Sequence, residues 1–316
     1  MEIVLNFPLS IRLIQNLNSS AVREGSAEVK TSNRFHLAMM ITSSAIILFF
    51  LMGSWVTDLH VRGLSGQLLG VLVLTAMVIP LPAYWHEKGR LDLRDAALTI
   101  PWVFLLSVLL PLPFLVAARL HMPMQDTSLG VVDGAFGFNT AYFVDWASHH
   151  WVGSILNRTY TLLPSYMLMA SLAPALSGKP QARHFLLANV FALSATGVCF
   201  IFLPAIGPWV GHRFQASVAQ QLCEAQLRGL RQTGPYSFSF LLQATGFVCF
   251  PSCHVIWAFL SGSALWGFRY LRVPATILSL MIALSTLTTG WHYATDAFAG
   301  LVIATGSLIL ARRFNP

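Results

Sequence analysis

This chain is poor in charge. Only 10% of its 316 residues are Asp, Glu, Lys or Arg, against about a quarter in a soluble domain. With 55% hydrophobic residues and a mean hydropathy of +0.65, that shortage excludes a soluble globular domain and implies an all-α polytopic membrane protein. The net charge of +7 is no argument for a nucleic-acid partner, because in a membrane protein the placement of cations among the loops is what matters. Cysteine is scarce too. Cys199, Cys223, Cys249 and Cys253 are too few for a disulfide framework and read as free apolar thiols. No internal repeat and no low-complexity tract is present. No cleavable signal peptide is expected, since the first 36 residues are polar or mixed. That segment is expected to be a tail or a short interfacial helix.

What the chain has in abundance is long apolar runs. A spanning helix needs about 20 mostly apolar residues, and eight stretches qualify: 37–56, 67–85, 98–118, 159–177, 184–204, 251–269, 273–290 and 293–311. Pro111 and Pro113 predict a kink in the third. Lys and Arg alternate between loops. Thirteen fall in the terminal segments and the loops on their side, and six in the loops between. The excess predicts both termini in the cytoplasm and puts residues 251–254 and 290–296 on the outer side. The two long outer loops, 119–158 and 205–250, are expected to carry interfacial helices. In the second, Phe214, Val218, Leu222 and Leu230 are expected to share one helical face.

The chemistry gathers in two short motifs, PSCH at 251–254 and GWHYATD at 290–296. His292 and Asp296 are four apart, which on a helix is one face. A carboxylate there fixes the imidazole tautomer and favours the imidazolium formed during reaction. Pro251 suits a first helical turn. Ser252 and His254 would then lie at a helix N-terminus, where an anion is favoured and His254 can protonate a leaving oxygen. Each motif has a plainer reading: Asp296 and Ser252 as helix caps, and the histidines as packed or interfacial residues. A zinc ion on Cys253, His254 and His292 is a further reading. FLPAIGPW at 202–209 makes a rigid turn through Gly207 and Pro208 whose amides can approach a phosphate. Arg213, Arg228 and Arg231 follow it as candidate phosphate ligands. His149 and His150, among tryptophans, read as interfacial.

S-x-H at one helix start and H-x-x-x-D at the end of the next resembles the type 2 phosphatidic acid phosphatase superfamily. PAIGP at 204–208, LRGL at 227–230, FPSCH at 250–254, HYATD at 292–296 and DGAFGFNTAYFVDW at 133–146 resemble its inositol phosphorylceramide synthase-like branch. The resemblance covers roughly 98–311. It implies an N-terminal segment 1–36, two added helices in 37–97 and a six-helix core in 98–316. It implies a metal-free and cofactor-free reaction. His292 attacks a lipid phosphoryl group and forms a phosphohistidine, Asp296 orients His292, His254 protonates the leaving group, and Ser252 helps hold the phosphate. The partners implied are a lipid phosphate or phospholipid donor and a lipid alcohol or water acceptor, at the plasma or bacterial inner membrane. Superfamily phosphatases carry Ser-Arg seven and six residues before the second histidine. Ser285 and Thr286 stand there instead, which makes phosphodiester transfer more plausible and stands beside the equal alternative of a phosphatase acting on a lipid phosphate such as phosphatidate or polyprenyl phosphate. The reading from another class is a transporter with a His/Asp proton relay. Neither cysteines nor charge set an oligomeric state.

Overall fold

The structure, a computed structural model, describes residues 34–78, 80–239 and 248–314. Most of the N-terminal segment 1–36 lies outside the described residues. The chain runs through α1 (Arg34–Thr57), β1 (Leu59–Arg62), α2 (Leu64–Val78), α3 (Leu81–Glu87), α4 (Leu91–Leu109), α5 (Leu112–Arg119), α6 (Asp126–Ala135), α7 (Thr140–His149), α8 (Trp151–Tyr160), α9 (Leu163–Leu176), α10 (Gln181–Phe202), α11 (Pro208–Gly211), α12 (Val218–Leu230), β2 (Tyr236–Ser239), α13 (Cys253–Leu265), α14 (Arg272–Thr288) and α15 (Ala294–Phe314).

Among the described residues, five helical runs are long and apolar enough to cross a membrane: Arg34–Thr57, Leu64–Glu87, Ala96–Arg119, Gln181–Phe202 and Ala294–Phe314. Three shorter apolar helices, α9, α13 and α14, fall on the remaining expected spans. α2 buries none of its side chains, and α1 exposes Leu37, Ile41, Leu48 and Met52. An apolar helix whose side chains the protein leaves uncovered needs an apolar solvent. This is an integral membrane protein. The expected kink is a break: α4 ends at Leu109, and Pro111 and Pro113 flank the start of α5.

α13 is the hub. It packs against α9, α10, α14 and α15, and its buried face is largely small: Cys253, Ala258, Ser261, Gly262 and Ala264. A Cβ on Gly262 would lie 2.5 Å from Ser279 Oγ. Without one, Ser279 Oγ donates to the Ala258 carbonyl at 2.7 Å and the Tyr166 hydroxyl donates to the Ala275 carbonyl at 2.8 Å. Small residues that let helices approach until their polar groups bond across the gap are the usual device of membrane helix pairs.

Three sequence expectations change. The all-α chain also holds a two-stranded parallel pair, Leu59 opposite Tyr236 through Arg62 opposite Ser239. Arg119, counted as a loop cation, is buried and donates to the carbonyls of Thr57, Leu230, Gln232 and Gly234. It satisfies carbonyls left open where α1 and α12 end. In α12 the buried stripe is Gln220, Cys223, Leu227 and Leu230, while Val218 and Leu222 are exposed. The helix turned because the Gln220 amide donates to the carbonyls of Thr289 at 3.2 Å and Gly290 at 2.9 Å, and only one face can do that. As expected, the loop 119–158 is helical, in α6, α7 and α8.

Candidate active site

α14 delivers the second histidine by how it ends. Gly290 adopts φ +73°; its amide donates to the Leu287 carbonyl at 3.1 Å and the Trp291 amide to the Thr286 carbonyl at 3.2 Å. This is the Schellman ending, which needs a left-handed residue after the helix. A Cβ at Gly290 would also stand 2.9 Å from Phe214 and Val144. The chain then reverses, so that His292 lies in the turn before α15 and not on a helix as its spacing from Asp296 suggested. Asp296 is in the first turn of α15, and its Oδ2 accepts from the Tyr293 amide at 2.9 Å. His292 Nδ1 is 3.4 Å from that same oxygen. The pair therefore meets across a helix cap, with His292 3% and Asp296 0% exposed.

The first histidine comes from α13. The helix starts at Cys253, so Pro251 precedes it and is not in its first turn. Ser252 is the N-cap: its Oγ accepts from the Val255 amide at 3.3 Å, and its own amide donates to the Asp296 carbonyl at 3.1 Å. A Cβ on Gly300 would stand 2.7 Å from the Ser252 carbonyl, so glycine there lets α15 meet the PSCH turn. His254 follows, and its Nδ1 is 3.4 Å from His292 Nε2. The Tyr160 ring stacks on His254 at 4.2 Å and 19°, with its hydroxyl 3.4 Å from the same Nδ1.

The partner of His292 Nδ1 decides its tautomer. Nδ1 lies 2.9 Å from the Cys249 carbonyl, and a carbonyl only accepts. Nδ1 therefore carries the proton and Nε2 the lone pair. The lone pair faces His254, so one nitrogen is free as a nucleophile with a second imidazole beside it to move protons.

Two buried acids of α6, seven residues apart and so on one helical face, hold this arrangement from outside. Asp126 accepts from the amides of Ile206 at 3.0 Å and Gly207 at 2.8 Å, and the Tyr293 hydroxyl donates to the Gly207 carbonyl at 3.0 Å. Burial raises the Asp126 pKa, and the amide bonds oppose it. Asp133 accepts from the amides of Ala294 and Thr295, each at 2.8 Å. The open amides of the PAIGP turn and of the α15 N-terminus are thus bound to carboxylates of this chain.

His254, His292, Asp296 and Ser252 are brought together. Gly207 and Pro208 are buried in the scaffold, with the Gly207 amide on Asp126. None of the three candidate arginines is bonded to either histidine or to Asp296. Arg228 is ion-paired with Glu224 at 2.8 Å. Burial pushes Glu224 up, but bonds from Trp209 and Arg228 outweigh it and hold the carboxyl below its usual range. Arg231 donates through one nitrogen to the Met122 carbonyl, while its Nη1 is buried without a partner. It lines a pocket of about 180 Å³ with Met124, Ile206, Leu227 and Arg228. Arg213 is exposed, one residue before the Phe214 that packs on Gly290. His149 and His150 bond to carbonyls of their own helix.

Sequence reasoning missed Cys249, Tyr160, Asp126 and Asp133. Cys249 looked like one more apolar thiol, yet its Sγ donates to Asp296 Oδ2 at 3.0 Å. The metal-capable group is accordingly Cys249, His292 and Asp296, whose donor atoms lie within 4.8 Å of one another, and not the set containing Cys253. All four cysteines are free. The signals for the two acids were their spacing of seven and, for Asp133, its place at the start of the DGAFGFNTAYFVDW segment.

No curated protein and no solved structure matches this chain. The family model of the PAP2 superfamily matches residues 127–310, a segment that contains His254, His292, Asp296 and Asp133 and exceeds half of the chain, and the protein belongs to that superfamily.

Proposed function

We propose that this protein is a membrane lipid phosphotransferase that works through a phosphohistidine on His292. The observation that carries the reading is the pairing of His292 Nε2 with His254 Nδ1 at 3.4 Å, while Nδ1 of His292 is held on its other side by the Cys249 carbonyl and Asp296. Nε2 attacks phosphorus, the P–O bond to the leaving group breaks, and His254 supplies the proton that the departing oxygen takes up. In the second half His254 accepts the proton of an incoming alcohol, whose oxygen attacks the phosphohistidine and releases His292. Asp296 stabilises the charged imidazole in between. The rings must part to seat a phosphoryl group between them.

The preferred donor is a phosphodiester lipid and the acceptor a lipid alcohol, as in the inositol phosphorylceramide synthase-like branch. The position where superfamily phosphatases carry arginine is Thr286, fully buried, its hydroxyl donating to the Ala283 carbonyl. Arg228 is already paired with Glu224. A phosphodiester has one negative charge, whereas a monoester carries about 1.5 to 2 at neutral pH, so a site poor in cations suits the diester. Arg213 is the cation assigned to the phosphate. Ser252 acts by holding the α13 N-terminus in place. We assign eight spans, with 98–316 as the reacting core, 37–97 as an addition, both termini in the cytoplasm and the site at the outer face of the plasma or bacterial inner membrane.

The test is product analysis by mass spectrometry and phosphate release, with purified protein in mixed lipids beside His292→Ala and Asp296→Asn. A new headgroup-bearing lipid without free phosphate, absent from the His292 variant, is the expected result. Inorganic phosphate from a lipid monoester identifies a phosphatase instead. Full turnover in His292→Ala sinks the phosphohistidine.

A further inference from the structure

One residue touches both members of the His292–Asp296 pair, and the phosphohistidine scheme uses only its backbone carbonyl and leaves its thiol without a role. The Cys249 carbonyl accepts from His292 Nδ1 at 2.9 Å, nearer than Asp296 Oδ2 at 3.4 Å. The Cys249 thiol donates to that same Oδ2 at 3.0 Å. Backbone and side chain of one residue thus meet the imidazole and the carboxylate separately. Oδ2 also accepts from the Tyr293 amide, while Asp296 Oδ1 is buried without any partner. The carboxylate is therefore anchored through one oxygen only, and removing the thiol donor from that oxygen leaves the Tyr293 amide as its one close donor and weakens its hold.

We propose that Cys249 is a positioning residue for the reaction: its thiol anchors the Asp296 carboxylate through Oδ2, and its carbonyl turns the His292 ring so that Nε2 faces the phosphoryl group. The proposal rests on the reading of His292 as nucleophile.

The surroundings favour a hydrogen-bond donor at this position over a nucleophile. Burial first, and then the neighbouring Asp296 charge, hold the thiol well above the usual thiol range, so it keeps its proton. A thiolate would face the carboxylate at 3.0 Å in a medium that screens little. Use of Cys249, His292 and Asp296 as metal ligands would require the thiol proton and the Nδ1 proton to leave, and both are engaged in the bonds just described.

Two variants separate positioning from packing. Cys249→Ser keeps a donor, while Cys249→Ala removes it and leaves the carbonyl in place. With the donor lipid of the product assay, the serine variant is expected to keep kcat within about threefold of wild type. The alanine variant is expected to lose about tenfold in kcat at unchanged KM, the effect of one hydrogen bond to a charged group. Equal losses in the two variants, or a loss confined to KM, overturn the proposal.

A second measurement needs no turnover. The infrared S–H stretch of Cys249, assigned by its disappearance in Cys249→Ala, is expected at low frequency in wild type and to relax upward in Asp296→Asn, where a weaker acceptor replaces the carboxylate. A band unmoved by Asp296→Asn overturns the contact. A band that relaxes in a protein without lipid turnover upholds the contact and removes the phosphohistidine reading instead.

Discussion

Asp133 and Thr295 are joined twice, through the Thr295 amide at 2.8 Å and through its hydroxyl, both on Asp133 Oδ1. The other carboxylate oxygen takes the Ala294 amide at 2.8 Å. A carboxylate from α6 thereby supplies the anion that a helix N-terminus attracts. The α15 N-terminus, which carries Asp296, is occupied by the protein's own acid.

Asp133→Ala should therefore act on the site through the fold. It leaves two amides and a hydroxyl without their acceptor, at a cost of about 2–3 kcal/mol. Thermal unfolding in detergent should show a lower Tm, and Asp133→Asn, which retains one acceptor oxygen, should fall between. An unchanged Tm for Asp133→Ala would contradict the capping role.

Gly290→Ala places a Cβ at φ +73° and within 2.9 Å of Phe214 and Val144. The left-handed conformation alone costs about 1–2 kcal/mol for a non-glycine residue. Turnover is expected to drop at least tenfold, because relief of the contact moves the turn that carries His292. Wild-type turnover in this variant would show that the Schellman ending does not set the histidine.

Tyr160 contributes its ring more than its hydroxyl. The ring stacks on His254 at 4.2 Å, whereas the hydroxyl contact is long, at 3.4 Å. Tyr160→Phe should retain kcat within about threefold, and Tyr160→Ala should lose tenfold or more as His254 gains rotational freedom. Equal losses in both variants would assign the role to the hydroxyl.

The arginines should divide. Arg228→Ala removes a largely exposed partner of Glu224, a pair worth about 0.3–0.5 kcal/mol, and is expected to leave KM within twofold. Arg213→Ala is expected to raise KM for the donor several-fold and to flatten its salt dependence, since the cation removed is the one that salt screens. An Arg213 variant with wild-type KM would take that residue out of the phosphate site.

His254, His292 and Asp296 mark how far a local reading of the sequence reaches. His254, His292 and Asp296 were named from two motifs, because S-x-H and H-x-x-x-D are short and keep their chemistry in a few adjacent residues. Their geometry was misjudged in one respect. Spacing of four suggested a shared helix face, but Gly290 ends α14 and α15 begins at Ala294, so the pair forms across a cap. The amphipathic face of α12 failed for a related reason. Periodicity marks apolar residues, and the buried stripe there includes Gln220, whose partners are carbonyls of a turn far along the chain.

By itself the sequence determined the membrane class, the long apolar helices and the two short motifs whose histidines and carboxylate the structure brings together, because hydrophobic runs and short motifs are properties of neighbouring residues. Only the tertiary structure decided which carboxylates hold which amides, which way His292 points and that Cys249 meets Asp296. Those contacts join residues between 43 and 162 positions apart. They depend on which helices pack together, α6 against α15 and α13 against α14 and α15, which no local pattern of residue types encodes.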